Sequence, residues 1–203
     1  MRKKLGAVCM IVGAVLIIGA LALLLWNHAE DSRAQQSSAQ AVSELKEVIA
    51  DNIADNENKN EDSSVYENNT ENEQMSEVQI DDYNYIGYLS IPSQGLELPV
   101  MSHWDYQKLQ VAPCRYSGTI AQHNLVVIAH NYSSHFGNLD QLNPHDEVLF
   151  IGIDGAVTTY QVSCVDVVPP NATKEVTAGD SDLSLVTCTY GGKTRFVVYC
   201  DEV

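Results

Sequence analysis

Three side chains in this sequence have the types and placement for nucleophilic chemistry. Cys188 ends the apolar run LSLVTC, and Arg195 opens the next run, RFVVYC, seven positions later. His130 follows a third apolar run, NLVVIA. If the last two runs are strands paired antiparallel through the turn TYGGKT, Cys188 and Arg195 fall together at one edge of a sheet. A third strand ending beside them presents His130 there. A thiol becomes a nucleophile as its thiolate, which a neighbouring imidazolium or guanidinium favours. Arginine stays charged and offers fixed donors to a carbonyl oxygen that is becoming an oxyanion. Residue types alone leave other readings open. A cysteine in an apolar strand commonly serves as a small core residue, and Cys114, Cys164 and Cys200 are read that way, or as disulfide partners. His28, His103, His123, His135 and His145 compete with His130, and position alone does not eliminate His135.

The elements that would hold these residues occupy the second half of the chain. From about Asp81, short apolar segments alternate with turn residues: YIGYLSIP, LELPVM, NLVVIAH, VLFIGI, AVTTYQVSCVDVV, LSLVTC and RFVVYC. The DG between the fourth and fifth is a hairpin signal. WDYQKLQVAP, ended by Pro113, and FGNLDQL have room for only short helices. Many short strands with small helical insertions predict an all-β closed barrel of seven or eight strands.

The first half has a different character. Leu5 to Trp26 carries no charged side chain, and its 22 residues would span about 33 Å as a helix, enough to cross a bilayer core of about 30 Å. Arg2, Lys3 and Lys4 precede it, while Glu30 and Asp31 follow. The positive-inside rule then leaves residues 1–4 in the cytoplasm and the C-terminal domain outside the cell membrane. The apolar run exceeds the usual core of a cleaved signal peptide, so it reads as a single-pass anchor. Residues 27–80 read as an acidic stalk. Within it Val42, Leu45, Val48, Ile49 and Ile53 form one stripe of a helix that would pack against a partner chain, the domain or nothing stable, and residues 56–77, rich in Asn, Glu and Ser, read as a flexible spacer that sets the domain off from the bilayer. Residues 81–203 are the expected catalytic domain.

Charge excludes one class of partner. After residue 4 the chain has 8 basic residues against 27 acidic ones, a formal −19, which repels phosphate backbones and makes nucleic acid an unsuitable ligand. No spacing of His, Cys or carboxylates calls for a metal, and no motif calls for a cofactor. Asn68, Asn131 and Asn171 stand in N-x-S/T triplets, a weak signal.

The stretch Ser184, Leu185, Val186, Thr187, Cys188, followed by Arg195, Phe196, Val197 and Val198, resembles the C-terminal signature of the sortases. IAHNYSSHFGNLDQL resembles the segment carrying their catalytic histidine, matched here by His130, Phe136, Gly137, Leu139 and Leu142. YIGYLSIPSQGLELPV is similar to their opening strands. Ser184 replaces a threonine of the pattern, and Ala129 replaces the glycine that commonly precedes the histidine. The resemblance implies the sortase barrel and a membrane-anchored cysteine transpeptidase of a Gram-positive bacterium. Its substrates would be secreted proteins with a C-terminal sorting motif of LPxTG type, cleaved through a thioester on Cys188. An amine of a cell-wall precursor or pilin would then take the acyl group. His130 would be the general acid and base, and Arg195 would stabilise the oxyanion and the substrate. No DPW or DPF lid motif precedes the domain and no second hydrophobic segment follows Val203, so class C is not expected and a class D-like member is. Competing functions are a plain extracellular thiol endopeptidase and a non-catalytic domain that binds envelope proteins.

Overall fold

The structure is a computed structural model that describes residues 2–59 and 75–203. A single helix, α1 (Arg2–Lys59), carries both the apolar segment and the stripe. From Met10 to Trp26 nearly every side chain is exposed, as suits a helix whose solvent is lipid; it is the one helix among the described residues with the length and composition to cross a membrane. It forms a single-pass anchor. Beyond it the helix changes solvent without breaking. Ala34, Ser38, Ala41, Val42, Leu45 and Ile49 recur every three or four residues, and all are buried against the C-terminal domain.

That domain is a barrel. Strand β1 (Val78–Ile80) turns back onto β2 (Tyr83–Ile91), which pairs antiparallel with β3 (Leu96–Met101). A single parallel pairing, Met101 with Cys114, joins β3 to β4 (Cys114–Ser117), supported by Met101 N–H donating to the Pro113 carbonyl at 2.9 Å. From β4 the sheet continues through β5 (Leu125–Ile128), then β8 (Leu183–Cys188), β9 (Arg195–Glu202), β7 (Val157–Val168) and β6 (Glu147–Gly152). Pairing of β6 with β2 closes it, so eight strands form the barrel and β1 is an added ninth on β2. At the closure β2 carries Gly87 with φ of 144°, where a Cβ would lie 2.1 Å from the Ile151 carbonyl oxygen; no side chain fits between the strands there.

The interior is filled by Leu89, Val127, Phe136, Phe150, Leu185 and Val198, each essentially inaccessible to solvent. A second apolar layer joins Ala41 and Leu45 of α1 to Tyr85, Met101, Leu109 and Ala112. The expected barrel is present, but the chain is not purely all-β. The helical stripe is long enough to bury a whole face, and it uses the barrel itself as its partner.

The docked helix also revises the role expected for residues 56–77. Lys46 Nζ meets Glu97 at 2.7 Å, Asn52 Nδ2 donates to the Ile153 carbonyl at 2.9 Å, and Ile53 lies over Gly155. Helix α1 therefore joins the anchor directly to the barrel; of the Asn- and Glu-rich segment expected to act as a flexible spacer, residues 60–74 lie outside the described residues. Asn68 is among them. The cysteines separate as well. Cys114, Cys164, Cys188 and Cys200 are all free. Cys114 and Cys200 are core residues, and burial pushes both thiols up to about 12. Cys164 departs from the core expectation: it is exposed, because β7 bulges between Val162 and Cys164 and turns it outward.

Candidate active site

Two strand registers bring the sequence candidates together. Cys188, the last residue of β8, is paired directly with Arg195, the first of β9. The turn between them closes through Thr189 N–H to the Thr194 carbonyl at 3.1 Å, with Gly191 and Gly192 at φ of 83° and 70°, a conformation glycine adopts without strain. On the other side of β8, β5 runs parallel, with Ile128 opposite Val186. The pairing continues past the strand: Ala129 N–H donates to the Val186 carbonyl at 3.1 Å, and Thr187 Oγ1 donates to the Ala129 carbonyl at 3.0 Å. His130 therefore leaves β5 at the edge where β8 ends. Thr187 is buried and ties the two strands together one residue before the thiol.

All three residues line one apolar groove of about 250 Å³, whose walls include Trp104, Tyr116, Ile128, Val168, Ala172 and Val186. Cys188 and Arg195 are partly exposed within it. The Arg195 guanidinium donates to the carbonyls of Gly192 and Thr194 at 3.0 and 2.9 Å, which holds its fork beside the turn. Burial lowers the pKa of the half-buried His130 from its ordinary value, while the charge of Glu30 opposes that shift.

The other histidines have different surroundings. His135 is completely buried, with Nε2 3.1 Å from Ser38 Oγ of α1, and does not face the groove. His123 sits at the opposite end of the barrel beside Asp182 and Glu202, and His103 lies near Glu77. The Tyr132 ring lies 5.0 Å from that of His130 and 5.6 Å from that of His135.

Sequence reading missed the support of the His130 loop by α1. Asp31 accepts hydrogen bonds from Ser133 Oγ, from Ser134 Oγ and from Ser134 N–H, the last at 3.1 Å. These bonds hold the Asp31 carboxyl below its ordinary range even though partial burial acts the other way. The loop then folds tightly on itself: Phe136 N–H reaches the His130 carbonyl at 3.2 Å and Gly137 N–H the Tyr132 carbonyl at 2.8 Å. Asp31 is thus a positioning residue that acts through Ser133 and Ser134. Asp31→Ala is expected to lower kcat about 3- to 10-fold with KM for a soluble peptide little changed. Asp31→Asn, which keeps an acceptor oxygen, is expected to restore most of the rate.

Burial of His135 has a consequence for stability. Desolvation is the largest cause, with the charge of His130 adding to it, and the pKa falls to about 4 against an unfolded value of 6.5. Between those values the unfolded chain binds the extra proton, so stability is full above about pH 6.5 and declines as pH falls toward about 4. At about 1.4 kcal/mol per pH unit the whole window is worth about 3 kcal/mol. Thermal unfolding between pH 7 and pH 4 is expected to show this decline, and His135→Leu to flatten it.

A thiol, an imidazole and a guanidinium on one edge of a closed barrel make up the side-chain set of a thiol-dependent acyl transferase. The Sortase domain model matches residues 89–203, more than half of the chain, and the chain belongs to the sortase family of cysteine transpeptidases, which act on proteins bearing sorting signals. No curated protein matches it in sequence. Among solved structures, sortase C1 of Streptococcus agalactiae is 21% identical with a TM-score of 0.61, covering 81% of this chain and 98% of that one. A Clostridium perfringens sortase C with the C-terminal cell wall sorting motif is 24% identical with a TM-score of 0.58, covering 82% and 99%. Sortase A of Corynebacterium diphtheriae, a lid mutant, is 24% identical with a TM-score of 0.51, covering 59% and 70%.

These likenesses define the fold, and they overturn the class D-like expectation. The two sortase C structures cover more than 80% of this chain, against 59% for the sortase A structure, and that coverage exceeds what residues 75–203 supply, so it includes part of the N-terminal segment.

Proposed function

We propose that Cys188 is the nucleophile, His130 the general acid and base, and Arg195 the oxyanion and substrate clamp of this transpeptidase. The observation that carries the assignment is the direct pairing of Cys188 with Arg195 at the same edge where β5 delivers His130, all opening on one groove. The Cys188 thiolate attacks the threonine carbonyl of an LPxTG-type motif, and Arg195 stabilises the resulting oxyanion. As the C–N bond breaks, His130 gives its proton to the departing glycine amine, leaving a thioester and a neutral imidazole. An incoming amine attacks the thioester, His130 takes its proton, and the thiolate leaves. Water replaces the amine slowly when none is supplied.

The substrates are secreted proteins with a C-terminal sorting signal. The acceptor is an amine of a cell-wall precursor or a pilin lysine, and fold likeness to a Streptococcus pneumoniae sortase C described with pilin substrate specificity favours the pilin. The basic residues before the anchor place the N-terminus in the cytoplasm and the barrel outside. Residues 1–4 form a cytoplasmic tail and 5–26 the anchor; the expected stalk and the expected domain start at residue 81 are revised, since α1 packs on the barrel through Ala34 to Ile49 and β1 (Val78–Ile80) is already part of the catalytic domain's sheet. The test supplies a sorting peptide with no amine, with a lysine-bearing pilin peptide or with a cell-wall peptide amine. A ligated product dependent on amine supports transpeptidation. Hydrolysis at the same rate under all three conditions makes the protein an endopeptidase.

A further inference from the structure

The way α1 lies on the barrel fixes which end of the barrel faces the membrane. Contacts run in order along the helix: Asp31 with Ser133 and Ser134, Ser38 with the Val111 carbonyl, Lys46 with Glu97, and Asn52 with Ile153. Ser133 and Ser134 belong to the loop that follows His130. Ile153 lies at the β6–β7 turn, at the opposite end, since β7 enters there and leaves at Val168, opposite Arg195. The Cys188 end is therefore the membrane-proximal one.

Its height above the lipid follows from helix geometry. Asp31 is five residues past Trp26, about 7.5 Å along the axis. The headgroup layer adds about 5 to 7 Å on each side of the hydrocarbon core. Loops held by Asp31 are thus level with the outer headgroups. The turn at residues 189–194 extends beyond the strand end that bears Cys188, and Tyr190 at its tip is 98% exposed. Trp104 and Tyr106 are also exposed on the groove rim, and their rings are 5.8 Å apart. Trp and Tyr are the residues that favour the membrane interface.

Lys193, in the turn that joins β8 to β9, and Arg195 are basic residues at this same end.

We propose that the Cys188 end of the barrel rests on the headgroup layer of the bilayer that α1 spans, with Tyr190, Lys193 and the Trp104–Lys108 segment in contact with lipid. The groove then opens at the depth where a substrate's own membrane segment would end. This proposal rests on α1 being the anchor.

The test uses the full chain in nanodiscs of phosphatidylglycerol and phosphatidylcholine containing a headgroup photo-crosslinking lipid, with adducts mapped by mass spectrometry. Adducts at residues 104–108 and 189–193, at least fivefold above those at 153–156, support docking. Adducts confined to α1, or equal at both ends of the barrel, overturn it. Absence of adducts on α1 overturns the anchor reading itself. A Tyr190→Ser, Lys193→Glu variant is expected to lose most of the adducts at 104–108 while cleaving a soluble peptide in detergent at the normal rate. Unchanged adducts in that variant also overturn the proposal.

Discussion

Cys188→Ala is expected to abolish both thioester formation and product release, with a loss of at least about 10³-fold in kcat, because the substituted side chain has no lone pair to attack a carbonyl. The fold should survive. Cys188 is partly exposed at a strand end, its backbone pairing with Arg195 does not depend on its sulfur, and no core layer includes it. Cys200→Ala is the informative contrast. That thiol is completely buried in the barrel interior, and burial pushes its pKa up to about 12, so it stays protonated at neutral pH. Losing it should cost stability through a small cavity, about 1 to 2 kcal/mol, while the acyl-transfer rate of the folded protein is retained. Comparing kcat with the thermal unfolding midpoint for the two variants separates a chemical cysteine from a packing one.

His130→Gln should lower kcat/KM by about 10²- to 10⁴-fold, the range a positioned proton-transfer group supplies. Its pH signature is more specific than its size. Burial lowers the His130 pKa, so the neutral form that accepts the proton of the incoming amine persists to lower pH than an exposed histidine would allow. The acidic limb of the aminolysis rate is therefore expected below pH 6.5 and should vanish in His130→Gln. Glu30 pulls the other way, since its negative charge favours imidazolium. Glu30→Gln should move the limb further down. A limb that stays in place in both variants would assign it to another group.

Most of the candidate site's geometry was legible because its parts lie at the ends of apolar runs. Alternation and turn residues marked β5, β8 and β9, and antiparallel pairing through TYGGKT was enough to place Cys188 beside Arg195. The choice between His130 and His135 was not legible. Both lie in one polar loop, and only packing of α1 over His135, through Ser38, removes it from the groove. Strands β1 and β4 were missed for a different reason. VQI and CRYS are too short to show alternation, and β4 is joined to β3 by a single pairing that no local pattern encodes. The stripe on α1 was visible as Val42, Leu45, Val48, Ile49 and Ile53. What it packs against depends on contacts distant in sequence, so the same pattern served a stalk and a docked helix equally well. Asp31 was read only as a charge that orients the anchor, although the structure uses it to hold the loop after His130.

The central claim is that Cys188 forms an acyl-enzyme with a sorting motif. Intact-mass and peptide-mapping mass spectrometry of the protein mixed with an LPxTG peptide, quenched before amine is added, tests it most directly. The expected result is a thioester adduct of the peptide cleaved between threonine and glycine, located on Cys188, absent from Cys188→Ala and discharged by amine. Cleavage of the peptide with no adduct, or an adduct on Cys164 that persists in Cys188→Ala, would contradict the claim.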